Sequence, residues 1–224
     1  TTEFDRWWNS SGIWVEPANK RRGGESGVQL LQQRDLMRPP LYCKRQIGHT
    51  YRTFLHPFGR PTILRELQAY RAFARLGIKT PNVVYCTARQ KHGAWQALLV
   101  TEALQGFVSL EPRYAVENSA ELTKAALIQL ATTLARLHLA GWQHGCCYPK
   151  HIFVKSQVNE GGTVTVEIAL LDLEKSRRRQ WRQVNARHRW PVDHDHGTEA
   201  WRTGARPRQH RDPAQGRQNW RDRF

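Results

Sequence analysis

Three residues far apart in the chain have types and settings suited to phosphate chemistry. Lys44 sits in "LYCKRQIG", Glu66 in "TILRELQAYRAFARLG" and Asp172 in "IALLDLE". A lysine ammonium binds phosphate oxygens as a point charge. A glutamate on a neighbouring helix can hold that ammonium in place. An aspartate carboxylate suits a hard divalent ion such as Mg²⁺. Upstream, "GGESGV" supplies Gly23, Gly24 and Gly27. Without side chains, such residues let backbone N–H groups approach phosphates. A fourth stretch, "HGCCYPKHIFV", carries His144, Cys146 and His151 at close spacing.

These residues need elements to position them. "GIWVEP" and "GVQLLQQ" read as two strands joined by the turn-rich, basic "ANKRRGGESG", and "LYCKRQIG" reads as a third. "TILRELQAYRAFARLG" reads as a helix opening after Pro61 and stopping at Gly77, with Leu64, Leu67, Tyr70 and Ala74 on roughly one face. "NVVYCTAR" and "AWQALLVTEAL" are two more strands, split at Lys91-His92-Gly93. A second helix fills "NSAELTKAALIQLATTLARLHLAGW", capped by Asn118 with Glu121 three residues on. Leu127, Leu130, Leu134 and Leu137 form its expected buried stripe. "HIFVKS", the turn "NEGG" and "TVTVEIALLDLE" then make a hairpin.

Composition narrows the partners. The net charge of +16 suggests a polyanion: nucleic acid, an anionic membrane surface or a phosphorylated substrate. No stacking motif or helix-turn-helix pattern supports nucleic acid. Cys43, Cys86, Cys146 and Cys147 lack zinc-site spacing, and reduced thiols are expected. No apolar run approaches the roughly 20 residues that span a bilayer, so the expectation is a soluble chain, at most peripheral to a membrane. Trp7 and Trp8 are expected to pack over the first strands. From about residue 185 the chain is crowded with Arg, His, Pro, Gly, Gln and Trp, with Val192 its single branched aliphatic residue. Such a tail buries too little apolar surface to offset ordering and is expected to be poorly ordered. His188, Asp193, His194, Asp195 and His196 within it are not read as a metal site, because nothing around them would orient the ligands.

The element order is that of a protein kinase: strand, Gly-rich loop, strand, strand with Lys, helix with Glu, two strands, long helix, His-containing loop, hairpin ending in Asp. "HGCCYPKHIFV" matches the spacing of the kinase catalytic loop, H-x-D-x-x-x-x-N, with Cys146 at the Asp and His151 at the Asn. "YCKRQ", "HPFGRPTILRE", "LVTEALQGFVSL", "HGCCYPKHIFV" and "LLDLEKSRRR" together resemble the lipopolysaccharide kinase (Kdo/heptose kinase, WaaP-like) family of Gram-negative bacteria, and within it the InaA-like branch. The resemblance covers roughly residues 5 to 182. His144, Tyr148 and His151 match the family's H-x-D-x-Y-x-x-H, and Cys146 departs from it.

The resemblance implies an α+β, protein-kinase-like two-lobed fold with a truncated or divergent C-terminal lobe. Residues 1–104 would form the first lobe, 105–184 a partial second lobe and 185–224 the tail. It implies ATP and Mg²⁺ as cofactors, with Gly23, Gly24, Gly27, Lys44, Glu66, Glu102 and Leu104 at the nucleotide. Thr101 to Leu104 would meet adenine, as a kinase hinge does. Asp172 and His151 would hold the metal, and Cys146, His144 and Lys44 would form the catalytic set, His144 as a buried support. The acceptor would be core lipopolysaccharide or another phosphate-rich compound, reached from the cytoplasm at the anionic inner membrane surface. Arg177, Arg178 and Arg179 read as a solvated run that could also hold a phosphorylated substrate.

Cys146 raises an alternative. A positioned general base contributes on the order of 10²–10⁴ in rate, and a thiol is a poor substitute for a carboxylate. The sequence therefore carries two readings: an ATP-dependent kinase of core lipopolysaccharide sugars, and a pseudokinase-like stress-response or binding protein. In either, Cys146 is expected to face the reaction centre and Cys147 to point into the core.

Overall fold

Alternation along β3 (Leu41–Ile47) organises the first half of the chain. Leu41 and Cys43 are buried on one face of the strand, and Lys44 and Gln46 serve the other. The computed structural model describes residues 2–21, 24–35, 37–111, 120–159 and 163–179. β3 is the middle strand of an antiparallel sheet in the order β1-β2-β3-β7-β6, formed with β1 (Ile13–Arg21), β2 (Gly24–Leu31), β6 (Val83–Lys91) and β7 (Ala94–Glu102). β1 is an edge strand whose register slips on both sides of Glu16. Pro17, which has no N–H for the ladder, lies in the second slip. The β6–β7 turn places His92 and Gly93 at φ 50° and 77°, the two left-handed positions of a two-residue hairpin.

Each face of this sheet has its own cover. On one, α1 (Glu3–Trp8) brings Phe4 onto Leu31, Leu41, Cys43, Leu98 and Val100, with Trp7, Trp8 and Tyr85 partly buried around them. Thr2 and Asp5 close a capping box at its start, and Arg45 donates to the carbonyls of Trp7 and Ser10 at its end.

The other face takes α2 (Thr62–Arg75), which starts at Pro61 and ends before Gly77 at φ 64°, as expected. Its buried residues are Thr62, Ile63, Glu66, Ala69, Tyr70 and Phe73. The expected face therefore needs correction: Ala74 is exposed, and Leu64 and Leu67 are only half-buried. The stripe is rotated toward Ile63 and Phe73 because these fill the space over Ala97 and Leu99, and because Glu66 lies between them on that face.

Between β3 and α2 stands a hairpin that sequence periodicity did not indicate, β4 (Thr50–Thr53) with β5 (His56–Pro61). The second half begins with β8 (Val108–Ser109) and α3 (Ala120–Leu139), followed by β9 (Trp142–Gln143). A short 3₁₀ turn, Pro149–His151, leads into β10 (Ile152–Val158) and β11 (Val164–Leu170). Another, Leu173–Lys175, precedes β12 (Arg177–Arg178). β11, β10 and β8 form one sheet, and β12 pairs with β9. Strands outnumber helices among the described residues, in a mixed α/β fold.

On α3, Ala126, Thr133 and Leu137 are buried, with Leu130 and Leu134 partly so. Leu127 is 48% exposed, which corrects the expected stripe. The observed spacing of four, three and four residues keeps one face, and Leu127 lies about a quarter of a turn off it. The Asn118 cap, most of the "NEGG" turn and the tail from residue 180 lie outside the described residues. No described helix is long and apolar enough to cross a membrane.

One cluster spans both halves, from Ile63 and Phe73 of α2 through Leu137 of α3 to Ile152, Val154, Ile168 and Leu170 of the second sheet. Phe73 is fully buried and meets Trp142 edge-on at 6.0 Å. Phe73→Ala should cost about 3–5 kcal/mol. Urea unfolding would show it, and a loss below about 1 kcal/mol would mean that α2 is not part of this core.

Candidate active site

Lys44 and Leu99 are register partners, so the lysine side chain shares the α2 face with that leucine. Glu66 falls one helical turn after Thr62 on the buried stripe of α2. Lys44 Nζ lies 2.8 Å from Glu66 Oε2 and 2.8 Å from Glu174 Oε2. Gln46, two residues along β3, donates to the same Glu174 oxygen at 3.2 Å and accepts from Thr62 Oγ1 at 2.8 Å. Arg65 Nε donates to the Glu174 carbonyl at 2.8 Å. The Leu173–Lys175 turn is thus held by β3 and α2 together.

Charge follows from this packing. Burial alone would favour neutral Lys44, but Glu66 and Glu174 outweigh it and hold its pKa above the ordinary lysine range. Burial pushes the Glu66 carboxyl up against the pull of Lys44. Burial also acts upward on Glu174, yet Lys44, His49 and Gln46 hold that carboxyl below its usual range. Glu174 is the more firmly ionised of the two.

Asp172 precedes this turn in the left-handed region, at φ 55° and ψ 63°. Such a conformation in a residue other than glycine costs roughly 1–2 kcal/mol and gathers at functional sites. Asp172 Oδ2 lies 3.6 Å from His151 Nε2, too far for a hydrogen bond. His151 Nδ1 is 2.8 Å from the Cys146 carbonyl, so Nδ1 carries the proton and, in the neutral ring, Nε2 has its lone pair toward Asp172.

The 144–151 loop closes on the backbone of Cys146. Its N–H donates to His144 Nδ1 at 3.2 Å, and its carbonyl accepts from Tyr148 N at 2.9 Å and from His151. Gly145 makes the turn at φ 81°, and a Cβ there would stand 2.4 Å from the Lys175 carbonyl oxygen. The Ser176 hydroxyl donates to the His144 carbonyl at 2.9 Å. Cys146 is consequently inside the turn at 4% exposure, and Cys147 is outside it in solvent. The exposure of Cys147 corrects the expectation that it points into the core. His144 is buried, and burial holds its pKa below the ordinary value.

The remaining sequence candidates are placed as follows. Gly24 and Gly27 lie within β2, paired with Arg21 and Arg45; a Cβ on Gly24 would meet His49, and one on Gly27 would meet Trp14 and Ala18. Gly23 lies outside the described residues. Glu102 ends β7 opposite Leu41, with its carboxylate accepting from Asn82 at 2.8 Å. Ala103 N–H donates to the Pro40 carbonyl, and half-buried Leu104 follows. Arg177 and Arg178 are exposed on β12.

A model of the lipopolysaccharide kinase (Kdo/WaaP) family matches residues 5–190. The chain belongs to this family. It is also 40% identical over 190 residues to Protein InaA of Escherichia coli (strain K12), across 83% of this chain and 84% of that relative. Every residue of the Lys44 cluster and of the 144–151 loop falls within the part that matches the family.

Sequence reading of this kinase-family chain missed Glu174, Gln46, Thr62 and Arg65. Two signals were available. Gln46 shares a strand face with Lys44, and Thr62 shares a helix face with Glu66. Glu174 had no comparable signal, because its approach to Lys44 depends on where the chain turns after β11.

Lys44→Met should leave Glu66 and Glu174 without their cation and cost about 3–5 kcal/mol, whereas Glu174→Gln, which keeps the Lys44–Glu66 pair, should cost about 1 kcal/mol. Equal losses in urea would show that the Glu174 contact, and not the pair with Glu66, accounts for the stability that Lys44 contributes. For His144 the unfolded chain takes up the proton first, so stability should fall as pH drops through about 6.5. His144→Gln should lose that part of the slope between pH 7 and 5. Parallel curves for variant and wild type would place the titration elsewhere.

Proposed function

We propose that this chain is an ATP-dependent kinase that phosphorylates hydroxyls on core lipopolysaccharide sugars, with a protein-kinase-like division into two lobes. The carrying observation is Lys44, paired with Glu66 and joined through Glu174 to the turn that Asp172 enters. The family description favours a kinase over the binding-only alternative.

Asp172 and Lys44 suit Mg²⁺ and a nucleotide: the carboxylate supplies the hard oxygen that Mg²⁺ prefers, which the His151 nitrogen does not. Asp172 and His151 offer one oxygen and one nitrogen facing each other across a gap, and among the described residues no third metal-ligating side chain joins them. Mg²⁺ commonly takes few protein ligands and fills its shell with phosphate and water oxygens. Bound together, ATP would supply the phosphoryl group and Mg²⁺ would offset its charge. Lys44 would bind phosphate oxygens in the orientation set by Glu66. Thr101 to Leu104 would meet the base, and β2 would lie over the nucleotide, with Gly24 and Gly27 making room for His49, Trp14 and Ala18 within the fold.

Phosphoryl transfer needs mainly positioning and charge neutralisation. Cys146, enclosed by the loop, contributes through its backbone: its carbonyl sets the tautomer and orientation of His151. His144 positions that backbone from below. The acceptor would be an anionic, phosphate-rich sugar at the inner membrane surface, drawn by the +16 charge.

The test is transfer of labelled phosphate from ATP to purified core lipopolysaccharide. Wild type should show it. Asp172→Asn should lower it by about 10² or more while leaving stability near wild type, since asparagine tolerates the left-handed region. Cys146→Ser should stay within about ten-fold of wild type, because the backbone carbonyl is kept. ATP with Mg²⁺ at about 100 times Kd should stabilise the fold by about 2.7 kcal/mol. No transfer, together with an unshifted melt at millimolar ATP, would sink the reading.

A further inference from the structure

The β4–β5 hairpin carries an apolar tip with no cover among the described residues. Phe54 is 100% exposed, Phe58 95% and Leu55 82%. Large apolar side chains crowded into five exposed residues are uncommon on a soluble surface and mark contact sites. Around them stand Arg52 and His56, both exposed, and half-buried Arg60. No acidic residue occurs between Asp35 and Glu66. Among the described residues neither strand pairs with a third. The base is firm: Thr50 pairs with Pro61, Thr62 N donates to the His49 carbonyl at 3.1 Å, and the Arg65 guanidinium lies 4.7 Å from the Tyr51 ring centre.

We propose that this hairpin docks the protein on an anionic bilayer. Phe54, Leu55 and Phe58 enter the interfacial layer, and Arg52 and Arg60 meet lipid phosphates at headgroup level. The order of the residues supports this occupant over others. A bilayer interface takes apolar side chains below and cationic ones above, within a few ångströms. A polyanion such as RNA would satisfy the arginines and leave the tip in water. A second copy meeting this face would set like charges against each other. The inference deepens the membrane side of the proposed function and needs no phosphoryl transfer. The base of the hairpin also reaches the site, through Thr62 and Gln46 to Glu174.

The experiment is co-sedimentation of the full chain with vesicles of phosphatidylcholine alone, or of phosphatidylcholine and phosphatidylglycerol in equal parts. Wild type should bind the second mixture more tightly. Phe54→Asp with Phe58→Asp should weaken that binding by about ten-fold or more. Arg52→Gln with Arg60→Gln should reduce the preference for phosphatidylglycerol several-fold. Both double variants should melt close to wild type, since Phe54, Phe58 and Arg52 are exposed and half-buried Arg60 gives up only its contact with the exposed His56. Unchanged binding by the Phe54/Phe58 variant would overturn the inference and assign vesicle binding to other basic residues, such as the arginines after residue 185. A dimer in sedimentation velocity that this variant abolishes, with vesicle binding unchanged, would overturn it in favour of chain self-association. The stabilisation of that same variant by ATP and Mg²⁺ separates the two proposals: if it persists while vesicle binding was never present, only the docking inference fails.

Discussion

One ammonium group between two carboxylates sets the geometry of this protein. Lys44 comes from the middle strand of the first sheet, Glu66 from the helix packed on it, and Glu174 from the turn that leaves the second sheet. Taken alone, a buried ion pair gives little net stability, because desolvation consumes most of the attraction. Its stronger effect is on specificity. A one-residue slip of β3 would send Lys44 to the α1 face and leave Glu66, 3% exposed at its side chain, without a cation. The register of β3, the rotation of α2 and the turn after β11 are therefore coupled choices.

The same coupling explains why the apolar core and the site share elements. Ile63 and Phe73 bury the helix, and Glu66 rides between them on that stripe. Phe73 also tilts against the buried His144 ring, with centres 6.5 Å apart. His144 in turn holds the N–H of Cys146, whose carbonyl orients His151 toward Asp172. A packing residue and a candidate metal ligand are linked by a short run of contacts. Side chains in such a dense interior have few alternative positions.

Cys146 holds its loop together through its backbone. The loop is closed by hydrogen bonds to the backbone of this residue, and any side chain that tolerates burial can occupy the position. Gly145 and Tyr148 contribute through conformation and a backbone N–H. The turn geometry, and not the thiol, sets the spacing to His151.

Sequence patterns alone were enough for most of the local elements, the β4–β5 hairpin excepted. Alternation marked β11, Pro61 and Gly77 bounded α2, and Lys91-His92-Gly93 marked the turn between β6 and β7, because each depends on the backbone preferences of a few neighbouring residues. The order of those elements, with Lys44, Glu66 and Asp172 in their places, pointed to a kinase, and five stretches from "YCKRQ" to "LLDLEKSRRR" carried the family. Three features needed the tertiary structure: the second carboxylate on Lys44, the inward turn of Cys146 with Cys147 outside, and the bare tip of the β4–β5 hairpin. Each is decided by groups distant in sequence. Glu174 is 130 positions from Lys44, Gly145 is backed by the Lys175 carbonyl, and Phe54 is exposed only because nothing else in the described fold packs over it. Local pattern reports which face a residue shares with its neighbours. What that face meets depends on long-range packing, which a local pattern does not encode.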